Sequence, residues 1–113
     1  MQSAQQRMSR THDWIDQRSL ALDRAIVQKL KLEPSLLQVA RDNLSRWINQ
    51  QQPCAPKVMF EWLEILDTRS FDDVLDLLGR FDENTRRLRQ SSPFCGILSE
   101  EERMTIFKKY ETL

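Results

Sequence analysis

Apolar side chains recur at three- and four-residue intervals along most of the chain and do not alternate, which predicts helices and no strands. The first run is Trp14, Ile15, Leu22, Ile26 and Leu30, with Arg18 and Arg24 off that line. Thr11 suits an N-cap, and Asp13 and Asp16 follow in the first turns, where carboxylates favour the positive end of a helix. A first helix is expected over residues 12–31. Pro34 opens a second, since proline is tolerated where its missing N–H would be unpaired anyway. Its stripe of Leu36, Leu37, Ala40, Leu44, Trp47 and Ile48 runs to about Asn49. The short connection implies that it folds back on the first as an antiparallel hairpin.

Two prolines in four positions interrupt residues 50–56, the clearest linker in the chain. Pro56 then starts a third helix to about Asp67, with Val58, Met59, Trp62, Leu63 and Leu66 on its buried face. Ser70 and Asp73 form a capping pair for a fourth, carried by Phe71, Val74, Leu75 and Leu78 and stopped at Gly79. Asp82 caps a short fifth helix through Gln90, whose single strong apolar residue is Leu88. Residues 91–98 read as loop. Ser99 and Glu102 make a capping box for a last helix bearing Met104, Ile106, Phe107 and Tyr110.

The expected architecture is all-α, a compact bundle of about five to six helices: two helical hairpins plus a C-terminal helix, packed round Trp14, Trp47 and Trp62. Residues 1–10 are polar and are expected to be a flexible N-terminus, with residues 11–113 one helical domain. A chain of 113 residues has room for a single core.

Charge adds a pattern but no global field, because 17 basic and 17 acidic side chains cancel. Residues 1–50 carry eight basic against five acidic side chains, residues 51–85 three against eight, and residues 86–113 six against four. The middle is acidic and the flanks are basic. No apolar run is long enough to span a membrane and the opening residues lack signal-peptide character, so a cytoplasmic protein is expected. Cys54 and Cys95 have no CxxC spacing and are expected to be free thiols.

Catalysis finds little to work with. His12 is the sole histidine and lies beside Asp13 at a polar helix edge, where capping or surface roles are the rule. Asp72, Asp73 and Asp76 cluster on one helix, whose geometry supplies no further oxygen ligands for a metal. No P-loop, dinucleotide fingerprint or HExxH occurs. Neither an enzyme nor a cofactor or metal site is expected.

Binding is the better expectation. Arg86, Arg87 and Arg89 adjoin Ser91 and Ser92, and guanidinium groups with hydroxyls suit phosphate contacts. Against DNA reading through the third and fourth helices stands the acid of Phe71-Asp72-Asp73-Val74-Leu75-Asp76, which repels phosphates. Phe81 and Phe94 fall outside the stripes, and each either plugs the core or anchors a partner. Pro93 and Gly96 hold Phe94, Ile97 and Leu98 in a defined shape, which makes residues 91–98 a structural latch for the last helix or a docking element.

The stretch Leu88-Arg89-Gln90-Ser91-Ser92-Pro93-Phe94-Cys95-Gly96-Ile97-Leu98-Ser99-Glu100-Glu101-Glu102-Arg103 resembles the tail of small uncharacterised bacterial helical proteins, and Trp14-Ile15-Asp16-Gln17-Arg18-Ser19-Leu20-Ala21 is similar to their opening. The resemblance implies a bacterial protein of toxin–antitoxin-like or mobile-element operons that works by binding another protein, and it brings no catalytic residue.

The function expected from all of this is a small protein-interaction module, an antitoxin-like neutraliser of a partner encoded nearby. Asp72, Asp73 and Asp76, with Glu61 and Glu64, would steer it, and Arg86, Arg87, Arg89, Ser91, Ser92 and Phe94 would fix the pose. The alternative is a transcriptional or RNA regulator contacting phosphates through the three arginines. Homodimerisation is compatible with either.

Overall fold

The computed structural model describes the backbone of residues 2–111 and the side chains of residues 14–111. Its elements are α1 (Gln2–Leu32), a 3₁₀ turn (Pro34–Leu36), α2 (Leu37–Gln50), α3 (Lys57–Thr68), α4 (Phe71–Gly79), α5 (Glu83–Arg89) and α6 (Glu100–Glu111). The protein is an all-α bundle of six helices, with no strand among the described residues. The segment 1–10, expected as a flexible N-terminus, is drawn into α1 from Gln2 on, and its side chains and that of His12 lie outside those described.

Two boundaries differ from expectation for local reasons. Thr11 lies inside α1 rather than capping it, because no glycine or proline separates it from the helix-compatible run at Gln2. Pro34 begins a 3₁₀ turn, and the α-helix starts three residues later at Leu37, whose amide donates to the carbonyls of Pro34 and Ser35. The other three expected caps fall in place. Ser70 Oγ accepts from the Asp73 amide at 3.1 Å, and Ser99 and Glu102 exchange bonds of 2.8 and 3.1 Å. Asp82 accepts from the Thr85 amide at 2.8 Å while Thr85 Oγ1 accepts from the Asp82 amide, so threonine completes that box.

One hydrophobic core draws on both sides of the linker. Leu30, Ala40 and Leu44 are fully buried within it, together with Trp62, Val74, Leu78 and Phe94. The pairing of helices is not that of two consecutive hairpins. α1 packs mainly on α4 and α6, and α2 on α3. α4 offers the broadest apolar face, with Val74, Leu75, Leu77 and Leu78 buried in nine residues, and the long α1 covers it. The three tryptophans also separate. Trp62 sits at the centre, 2% exposed, with its Nε1 donating to Leu88 O at 3.0 Å, whereas Trp47 and Trp14 are half-buried.

α6 buries no residue fully and is held from its flank. Trp14 Nε1 donates to Tyr110 O, Lys29 Nζ meets Glu102 Oε1 at 2.6 Å, and the Arg18 guanidinium lies between the rings of Trp14 and Phe107. Arg18 therefore belongs to the inner line of α1 rather than off it, because Trp14, Arg18 and Leu22 follow at four-residue spacing.

Candidate functional site

Successive positions on a helix are turned by about 100°. Arg86, Arg87 and Arg89 on α5 consequently fan out instead of sharing a face. Arg86 Nε reaches Asp16 of α1 at 3.1 Å. Arg87 donates two bonds to Glu61 of α3, of 3.1 and 2.8 Å, and a third to Asn84 Oδ1 at 2.8 Å. Its guanidinium holds the Glu61 carboxyl below the usual carboxylate range, and the carboxylate in turn raises Arg87. Arg89 turns inward. Its Nε donates to Asp23 Oδ2 at 2.7 Å, and its Nη2 donates to the carbonyls of Arg80 at 2.8 Å and Leu78 at 3.3 Å, close to where α4 ends.

The expectation of one cationic docking patch is thus corrected. The Arg89 and Asp23 side chains are only 8% and 6% exposed, which makes them a buried ion pair. Burial pushes the Asp23 carboxyl above its ordinary value, against the hydrogen bond and charge of Arg89, which pull it down. α5 works as a cross-brace tying α1, α3 and the end of α4.

Phe94 is likewise corrected as a partner anchor. It is 1% exposed and meets Trp62 edge to face, with ring centroids 5.5 Å apart. Asn43, buried on α2, donates from Nδ2 to both Pro93 O and Cys95 O at 2.8 Å, clamping the backbone on either side of that ring. The Ser92 hydroxyl is engaged in the same turn, its Oγ accepting from the Phe94 amide, while Ser91 joins the turn through its backbone, its amide donating to Leu88 O. Gly96, at φ 92°, supplies the reversal that a side-chain-bearing residue resists. Residues 91–98 are a latch.

The acids divide in a useful way. Asp76 is engaged by Arg80 through bonds of 3.0 and 2.7 Å, and Glu61 by Arg87. Asp72 and Asp73 are exposed in the first turn of α4 and meet no cation among the described residues; they sit where the helix dipole favours them. Phe81, just beyond the other end of α4, is 57% exposed, so of the two aromatics outside the stripes it is the displayed one.

Among the described residues no group of three or more metal-ligating side chains comes together, and no helix is long and apolar enough to cross a membrane. Cys54 and Cys95 are both free and exposed.

The sequence pattern assigns Asp16 only a helix-end role and gives Asp23 and Asn43 none, yet these three organise this region. A signal existed for the two buried ones. Leu20, Asp23, Val27 and Leu30 share one face of α1, and Asn43 lies within the stripe Ala40, Leu44 and Trp47; a polar residue on an apolar line calls for an internal partner. No family model matches the chain, and neither a curated protein nor a solved structure does.

Proposed function

We propose that the protein is a small interaction module that covers a basic face of a partner protein, in the manner of an antitoxin. The observation that supports it is an acidic helix with an aromatic displayed at its end. Asp72 and Asp73 stand exposed and without cations among the described residues, and Phe81 lies about 12 Å further along, within the footprint of one protein contact. Free acid steers a basic surface into place, and an aromatic residue buried on docking holds it there. The nucleic-acid reading depended on Arg86, Arg87 and Arg89 acting together, and their divergence takes that support away.

The test is capture of a stoichiometric partner from the native cell, followed by association kinetics of the purified pair. Asp72→Lys with Asp73→Lys is expected to slow association about tenfold at low salt and much less at high salt, where exposed charges are screened. Phe81→Ala is expected to speed dissociation instead. Kinetics unchanged by both variants would remove this face from the account.

A further inference from the structure

A cavity of about 250 Å³ lies between α1, the 91–98 latch and α6. Leu22, Ile26, Phe94 and Leu98 make its apolar lining, and the Asp23 and Arg89 pair closes one wall with its charges cancelled. Arg103 of α6 also lines it, exposed and without a carboxylate among the described residues.

A second cation, Arg18, lies near Arg103 but outside the lining. Its Cζ lies 5.4 Å from the centroid of the Phe107 ring, and the Cζ of Arg18, one turn before Leu22 on α1, lies 4.9 Å from the same centroid. Two guanidinium groups are therefore gathered on one ring beside an apolar hollow. The ring faces attract each cation but do not cancel the repulsion between them. The Arg18 Nε is buried without a hydrogen-bond partner, so Arg18 contributes charge to this end of the cavity rather than a contact.

We propose that this cavity binds a small amphipathic anion, a medium-chain carboxylate whose tail fills the apolar hollow and whose carboxylate lies at the Arg103 end, with the Arg18 charge behind it. At about 30 Å³ per water the cavity has the volume of roughly eight waters, enough for a tail of about seven or eight carbons. Desolvated tail and charge-assisted hydrogen bonds act together, so neither an uncharged chain nor a cationic one satisfies the site. Capture of such a ligand is separate from docking through α4.

The two cysteines supply the assay. Cys95 lines the cavity and Cys54 lies in the linker away from its lining, and both are exposed. Rates of modification of each thiol by a disulfide reagent are followed by mass spectrometry while octanoate is titrated, with octanol and octylammonium in parallel. Octanoate is expected to protect Cys95 saturably and leave Cys54 unchanged. Arg103→Gln, an exposed change whose fold is verified by circular dichroism, is expected to weaken that protection about tenfold, as loss of a hydrogen bond to a charged group does. Absence of protection, equal protection by octanol or octylammonium, or an unchanged midpoint in Arg103→Gln would each overturn the assignment.

Discussion

Replacing Arg89 by leucine leaves the Asp23 carboxyl buried without its cation and frees the carbonyls of Leu78 and Arg80 from their donor. Breaking one side of a buried pair costs about 3–5 kcal/mol, because the remaining charge is stranded. At roughly 4 °C per kcal/mol for a domain of this size, the midpoint of thermal unfolding should fall by about 12–20 °C. Asp23→Leu alone should cost a similar amount by stranding Arg89. The double variant Asp23→Leu, Arg89→Leu strands neither charge and should recover most of the loss, so that the coupling is larger than the cost of either single variant. Urea unfolding of the four proteins closes the cycle. pH adds a second reading. The Asp23 carboxyl is raised in the folded state, so its contribution is present below the ordinary carboxylate value and is lost as pH rises through the raised one. Without Arg89 the upward push is unopposed, and Arg89→Leu should lose stability more steeply than the wild type as pH rises from the acid side. Losses that simply add, or a single variant costing under about 1 kcal/mol as an exposed pair does, would refute the reasoning.

Two further outcomes are expected. The Glu102 carboxyl is lowered from 4.5 to about 2, first by Lys29 and then by the Ser99 amide and hydroxyl, so its stabilisation is present above pH 4.5 and fades as pH falls towards 2. Glu102→Gln should therefore lower the urea midpoint at pH 7 and lose that difference near pH 2.5; a gap that stays constant would place the stabilisation elsewhere. The two glycines should respond with opposite signs: Gly96→Ala should destabilise by about 1–2 kcal/mol through its positive φ, since the added Cβ meets Val39 Cγ1 at an ordinary 3.8 Å, whereas Gly79→Ala, with open space and a helical backbone, should stabilise by about 0.5–1 kcal/mol.

Helix positions and caps were legible because they depend on neighbours in sequence: Ser70, Asp82 and the pair Ser99 and Glu102 cap as their spacing implies. What each helix packs against was not, since apolar stripes have no preferred partner and α1 could meet α2 or α4 on pattern alone. The site suffered from reading Arg86, Arg87 and Arg89 as a linear cluster. Once those residues are helical, their angular spread sends them to Asp16, Glu61 and Asp23, separated from them by 70, 26 and 66 residues, and no local pattern encodes such distances. Phe94 was open between plug and anchor because the clamp that decides it, Asn43, lies in another helix.

The brace formed by α5 also sets an order of events during synthesis. Asp23 leaves the ribosome long before Arg89, and until Arg89 arrives α1 carries an uncompensated acid in the middle of its apolar face. Burying that face early is penalised, so the N-terminal helix is kept from settling on a wrong neighbour while the chain is incomplete. The linker at residues 50–56 therefore separates the two halves of one buried ion pair, and only closure of that long loop brings the charge of Arg89 to the acid on the first helix.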